Sequence, residues 1–245
     1  RWAENAEEPR FLGRYSPGDG FFTRYDLSID TVPEEVLVED TGVIWFVTAN
    51  KNRLYRVDPK DFSVKGYPVP TPNAYPRQLT TDSRGQIWFT EPNVNKIGKF
   101  IPEEERFEEY ELPTPFANPG EIAVDKDGKV WFVELNTNRI AAFYPDRIRF
   151  DEALIPTARS SPNALVADRH GNIWFLEYRG NKVGVFNPST ALFHEYTIPT
   201  FNSQPGDLAL DRERSILWFT EGNTEAGRLG MLPIEVALEQ MEQEP

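Results

Sequence analysis

Cysteine is missing from all 245 residues. That excludes a thiol nucleophile, a thiolate metal site and a disulfide framework, and it fits an exported protein or one from a hot environment. Histidine occurs only at His170 and His194. Basic charge is scarce: 26 Lys and Arg stand against 39 Asp and Glu, a net charge of −13. Such a surface repels phosphate backbones, so nucleic acid is not an expected partner. No apolar run approaches about 18 residues, and no membrane span is expected within the chain. The sequence opens at Arg1 rather than Met, and a removed export signal or an upstream anchor would account for that. No Gly-rich loop leads from a strand into a helix, so no phosphate cradle is indicated. At roughly 150 residues per domain the length implies one or two domains, with enough chain for a self-sufficient core.

What the sequence does contain is a repeat. Its six tryptophans stand at Trp2, Trp45, Trp88, Trp131, Trp174 and Trp218, at intervals of 43, 43, 43, 43 and 44. Each unit divides into four short apolar runs. The first, as in Glu121–Asp125, ends in an Asp-x-x-Gly turn that recurs at Asp82–Gly85, Asp125–Gly128 and Asp168–Gly171. The second carries Trp followed by Phe. The third ends at Pro59, Pro102, Pro145 and Pro188, and the fourth at Pro70, Pro113, Pro156 and Pro199. A loop led by Pro33, Pro76, Pro119, Pro162 or Pro205 opens the next unit. The Trp-Phe runs are apolar on both faces, as a strand between two stacked sheets must be. Four short strands in about 40–45 residues is the signature of a propeller blade. Six βαβ units would need helical patterns of ten or more residues between the strands, and there are none.

The expected fold is therefore an all-β β-propeller, residues 1–233, of six blades with four short antiparallel strands each. The first blade, from Trp2 through Phe21–Leu27, lacks its innermost strand; the last, from Asp207, lacks its outermost. The alternative is five blades, with Phe21–Leu27 pairing onto the last unit to avoid open edges and residues 1–17 as a flap. Residues 234–245 form an acidic tail. Pro233 can start a helix, and Ile234, Leu238 and Met241 recur at helical spacing. That helix either caps the closure or docks a partner. The later five tryptophans are expected between adjacent blades, with Trp2 less buried.

Three residues past each Trp the repeat places Glu91, Glu134, Glu177 and Glu221, with Thr48 and Asn5 in the other copies. The first strands open at Glu35, Gln78, Glu121, Ala164 and Asp207 on the same face. Glu91, Glu134, Glu177, Glu221, Glu121 and Asp207 are thus the candidate metal ligands, since converging carboxylates suit Ca²⁺ or Mg²⁺. The competing reading makes the repeated glutamates scaffolding, bonded to backbone or to Arg53, Lys96, Arg139 and Lys182. Asn52, Asn95, Asn138 and Asn181, seven past each Trp, are expected in left-handed hairpin turns. His170 falls in an Asp-x-x-Gly turn and His194 in an outer strand, neither placed for acid–base work.

The phrases DGKVWFVELNTNRI and RGQIWFTEPNVNKIGKF, with loops such as NPGEI and QPGDL, resemble the streptogramin (virginiamycin B) lyase family, within the wider NHL- and SMP-30-like propellers. The resemblance runs from Trp2 to Pro233. It implies a Mg²⁺-assisted elimination that opens a cyclic peptide ester, with histidine as base and glutamates on the metal. The family's histidines follow the loop proline; the matching positions here are Glu34, Arg77, Gly120, Asn163 and Gly206. None is histidine, and proton abstraction needs a base within reach.

The function expected from the sequence is a non-catalytic binding or scaffolding propeller, an extracytoplasmic accessory subunit with other protein subunits as partners. A Mg²⁺-dependent lyase or related metal-assisted enzyme using the acidic face is the alternative, and a sugar or small-ligand binder is a third reading.

Overall fold

The computed structural model describes residues 11–27, 29, 32–223 and 227–243. Trp2 and Asn5 lie outside them. The chain forms two units, Arg1–Arg77 and Gln78–Pro245. In the first, β1 (Phe11–Ser16) pairs with β2 (Phe21–Asp26) as a two-stranded sheet. A four-stranded sheet follows: β3 (Glu35–Val38), β4 (Ile44–Thr48), β5 (Arg53–Val57) and β6 (Val64–Pro68). Leu12 of the small sheet and Leu27 just after it share a buried cluster with Phe46, Tyr55 and Val57 of the larger one.

The second unit has three sheets of four strands and one of three. They are β7 (Leu79–Thr81) to β10 (Arg106–Glu111), β11 (Pro119–Val124) to β14 (Arg149–Leu154), β15 (Pro162–Ala167) to β18 (Leu192–Thr197), and β19 (Pro205–Asp211) to β21 (Arg228–Pro233). Every pairing is antiparallel between consecutive strands. This is the propeller repeat, with each sheet a blade. The N-terminal pair β1–β2 forms a two-stranded sheet of its own among the described residues, and the last blade has three strands. Prolines 119, 162 and 205 begin first strands, where a missing N–H is tolerated. A bulge follows each of them.

Helix α1 (Ile234–Gln243) follows β21 directly. Ile234 and Ala237 are buried in one cluster with Trp174, Val185 and Leu217, and the Tyr196 hydroxyl donates to the Ala237 carbonyl at 2.7 Å. The helix thus packs against the last two blades. Among the described residues no helix is long and apolar enough to cross a membrane.

The Trp-Phe strands carry the core. Trp45, Trp88, Trp131 and Trp174 are buried. Trp88 meets Phe143 of the next blade edge-on at 5.9 Å, and Trp131 meets Phe186 in the same way at 6.1 Å. A bare indole N–H would be costly there, and the Asp-x-x-Gly turn answers it. Asp125 Oδ2 accepts from Trp131 Nε1 at 2.8 Å, while its Oδ1 accepts the backbone N–H groups of Asp127 and Lys129. Asp82 and Asp168 do the same for Trp88 and Trp174, and Glu39 takes the indole of Trp45. In the second unit each turn therefore fixes a tryptophan that packs against the next blade. Trp218 is only half-buried.

Trp131→Ala is expected to cost about 3–5 kcal/mol, the range for deleting a large buried aromatic, and Trp218→Ala clearly less. Urea midpoints of the two variants check this; equal losses would contradict it.

Candidate functional site

In an antiparallel blade the second-to-third turn and the loop from the fourth strand to the next blade lie at one end. In the second unit a repeated asparagine binds these two loops together. Asn138 sits in the left-handed region at φ 60°. Its Nδ2 donates to the Ile155 and Thr157 carbonyls at 3.1 and 3.0 Å, and its Oδ1 accepts the Ser160 N–H at 2.8 Å. Asn95 and Asn181 repeat the pattern, at φ 59° and 56°. The hairpin-turn expectation holds, and the side chain adds a clamp that the sequence reading did not foresee.

The loop so held is itself contorted. Phe116 and Asn118, Arg159 and Ser161, and Asn202 and Gln204 all have positive φ. Each pair flanks a buried small residue, Ala117, Ser160 or Ser203. Those residues also bond forward: the Ala117 carbonyl accepts from Asn136 N–H, Ser160 from Arg179 and Ser203 from Asn223. Every loop is thus fastened to the blade before it and the blade after it. The first strands are cross-linked as well. Gln78 Nε2 donates to Glu121 at 2.5 Å, and Asn163 Nδ2 donates to the Pro205 and Gly206 carbonyls at 3.0 and 2.8 Å. This rigid face presents two aromatic rings to solvent beside polar groups: Phe116 is 83% exposed and Phe201 93%.

The four repeated glutamates end the second strands beneath these loops. Glu91, Glu134, Glu177 and Glu221 are all buried. Contrary to expectation, Glu91 does not open onto a channel mouth but is enclosed within its own sheet. A Cβ added to Gly98 would lie 2.6 Å from Glu91 Oε1, so the third strand closes over that carboxyl. Lys96, Arg139 and Lys182 also differ from expectation in their ion-pair partners. Lys96 pairs with Glu109 at 3.2 Å, Arg139 with Glu152 at 3.9 Å and Lys182 with Glu195 at 2.7 Å, all on fourth strands. Glu152 and Glu195 further accept from the Thr114 and Thr157 hydroxyls of the preceding loop, at 2.6 and 2.8 Å. These outer glutamates were missed from the sequence, although FEEYELP, FDEALIP and FHEYTIP repeat them at one phase.

Burial pushes the Glu91 carboxyl up to about 8, helped by the negative Glu109 and opposed by Lys96. Neither of its oxygens meets a hydrogen-bond partner. Burial likewise raises Glu134 to about 7, opposed by a bond from the Thr137 hydroxyl and helped by Glu152. It raises Glu177 to about 7, helped by Glu195 and opposed by Lys182. A neutral buried carboxyl is a poor cation ligand. Glu121 is half-buried and bonded to Gln78, while Asp207 is exposed. Among the described residues no three carboxylates or imidazoles gather closely enough to hold a metal ion. The residues present do not fit the Mg²⁺ that the resemblance implies. His170 sits in a first-to-second-strand turn, at the opposite end from the clamped loops, 3.5 Å from Glu235. His194 is on β18, opposite Val185.

A propeller blade repeat with one end stitched by asparagine clamps defines the class, and comparison with known proteins gives the family. The sequence model of the Virginiamycin B lyase family matches residues 2–232, and the chain belongs to that family. Virginiamycin B lyase from Staphylococcus aureus is 30% identical, over 93% of this chain and 78% of that one, with a TM-score of 0.79. A streptogramin B lyase is 27% identical over 91% and 76%, with a TM-score of 0.81. A catalytically inactive histidine-to-alanine variant of the Staphylococcus aureus enzyme, solved with quinupristin, is 29% identical over 92% and 78%, with a TM-score of 0.78. A search of curated protein sequences gives no match.

Two expectations follow. Between about pH 4.5 and pH 8 the native state holds more protons on Glu91, Glu134 and Glu177 than the unfolded chain does. Stability should therefore fall as pH rises through that window. Urea midpoints at pH 5.5 and 8 measure the fall, and Glu91→Gln should make it shallower; an unchanged slope would contradict the assignment. Asn138→Ala should cost about 2–4 kcal/mol, for several lost bonds and buried carbonyls left bare. Asn138→Gly should cost about 1 kcal/mol less, since glycine accepts the left-handed backbone; equal losses would remove the strain argument.

Proposed function

We propose that this chain is a non-catalytic, protein-binding member of the virginiamycin B lyase family, an extracytoplasmic accessory subunit that meets other protein subunits through its clamped loop face. The observation that carries this is the residue after each loop proline: Glu34, Arg77, Gly120, Asn163 and Gly206, with no histidine among them. The Staphylococcus aureus relative is catalytically inactive when one histidine becomes alanine, and the two histidines of this chain lie in a distant turn and on a fourth strand. Exposed Phe116 and Phe201 on a rigid support are the kind of aromatic anchor that protein interfaces use. Rigid loops also lower the ordering cost of binding.

Membership in the family favours a second reading, a metal-assisted lyase in which a carboxylate such as Glu121 replaces the histidine base. Incubation with quinupristin and millimolar Mg²⁺, followed by chromatography for the ring-opened product, separates the two. The expected result is no opening above buffer and no rise in melting temperature with Ca²⁺ or Mg²⁺. Replacing both histidines by Gln should change stability by no more than about 0.5 kcal/mol, as at surface sites. Isolation of the native protein should yield a complex with other chains, and Phe116→Ser with Phe201→Ser should release it at unchanged melting temperature. Turnover of quinupristin, or a strictly monomeric native protein, would overturn the proposal.

A further inference from the structure

At the end of the second unit that carries the first-to-second-strand turns, opposite the stitched loops, lies a cleft of about 300 Å³. Three segments wall it. One is the turn after β15, with Arg169 and His170; another is the turn after β19, with Arg212. The third is the start of α1, with Ile234 and Glu235. Its floor is apolar. Ile234 is buried and Leu210 of β19 half-buried, and both belong to the cluster that holds Trp174. The helix is fixed in place by its own bonds, from Ile234 N–H to the Ser215 carbonyl at 2.9 Å and from the Tyr196 hydroxyl to the Ala237 carbonyl.

The rim is basic, and the acids of the two turns do not neutralise it. Both Asp168 oxygens are held within their own turn and strand. Oδ1 accepts the His170 and Asn172 N–H groups, and Oδ2 accepts Trp174 Nε1 and Asn172 Nδ2. Asp211 accepts the Glu213 and Arg214 N–H groups and pairs with the Arg214 guanidinium at 3.3 Å. Arg212 reaches back to the preceding blade, its Nη2 donating to the neutral Ala167 carbonyl at 3.4 Å. One carboxylate does stand on the rim. Glu235 Oε1 accepts from Arg169 Nη2 at 2.7 Å and lies 3.5 Å from His170 Nε2. Among the groups lining the cleft, two guanidiniums therefore face one carboxylate that is not already held in a turn. Arg169 and Glu235 are both exposed, and an ion pair in water exchanges readily for another carboxylate.

We infer that this cleft is a binding site for a small organic carboxylate with an apolar body. The body would lie on Leu210 and Ile234 and along the aliphatic stems of the two arginines. The carboxylate would bridge Arg212 and Arg169, beside Glu235 or in exchange for it. A planar guanidinium fork suits a carboxylate in bidentate geometry. Glu235 already shows the site holding that group on Arg169. An apolar lining with a few converging polar groups is the usual make-up of a small-ligand site. An inorganic anion lacks the body that the floor would cover, and a neutral molecule of the same shape lacks the charge that the rim would bind. The site lies at the other end of the blades from the loop face and does not depend on what that face binds.

The test uses the full 245-residue chain and three probes: benzoate, its uncharged analogue benzamide, and inorganic phosphate. Ligand-observed NMR titrations should show saturable benzoate binding in the millimolar range, with benzamide and phosphate about tenfold weaker. Arg212→Gln should weaken benzoate about tenfold. The melting temperature of the unliganded variant should not change, because Arg212 is exposed. Glu235→Gln should instead tighten benzoate, since it frees Arg169 from its internal carboxylate; a residue that only shaped the cleft would not act in that direction. Absence of saturable binding up to about 10 mM benzoate, or equal binding of all three probes, would overturn the inference. So would an affinity indifferent to Arg212→Gln, or one that falls in Glu235→Gln.

Discussion

Much of this molecule depends on one side chain amide used four times over. A blade is a strongly twisted sheet with little to fix the loop that carries the chain outward and back to the next blade. Asn52, Asn95, Asn138 and Asn181 solve that problem locally. Each turns a hairpin in the left-handed conformation and reaches a loop seventeen to nineteen residues further along. Only asparagine combines tolerance of that backbone with two donors and an acceptor on a short stem. Substitution by Asp would lose the donors, and Gln would place them one carbon too far. The positive φ angles of Phe116, Asn118, Arg159 and Ser161 persist because these bonds over-determine the loop.

The buried glutamates follow from the same construction. Once the loops close over the ends of the second strands, any carboxyl there is cut off from water, and its charge is opposed by the outer glutamate that the third-strand base already neutralises. Lys96, Arg139 and Lys182 pair with the outer Glu109, Glu152 and Glu195, and loop threonines donate to Glu152 and Glu195. Glu91, Glu134 and Glu177 receive what remains of that positive field and rise towards neutrality. Burial raises these carboxyls first, and the base shared with the outer acid offsets only part of that rise.

The blades were legible from the sequence because their determinants are local and periodic. Tryptophan spacing, Asp-x-x-Gly turns and prolines at strand ends each act within a few residues, so the strands of the complete units, the three-stranded last blade and the C-terminal helix could all be read directly. The direction of the side chains was harder to read. Four glutamates in one phase define a ring of positions, but phase alone does not say whether a carboxyl points to the axis or folds under its own turn. The close approach of Gly98 to Glu91 decides that, and it is a contact between strands. The outer glutamates were visible in the fourth-run motif yet carried no signal until their bases were seen to point outward.

This division also explains why family membership says less about activity than about architecture. The residues that make the match recognisable (Trp, the turn Asp, the clamp Asn and the buried Glu) are those that hold blades together, and selection for folding alone would keep them. Positions that differ between blades include the residues after the prolines, Arg77, Gly120, Asn163 and Gly206, and the exposed loop crests Phe116, Arg159 and Asn202. A catalytic base introduced at an exposed crest such as Phe116 or Arg159 would cost the fold little, and its loss would cost no more. Chemistry on this scaffold is therefore decided by a few side chains that the repeat does not constrain. A relative can keep every clamp and every tryptophan lock while exchanging a reaction for a contact.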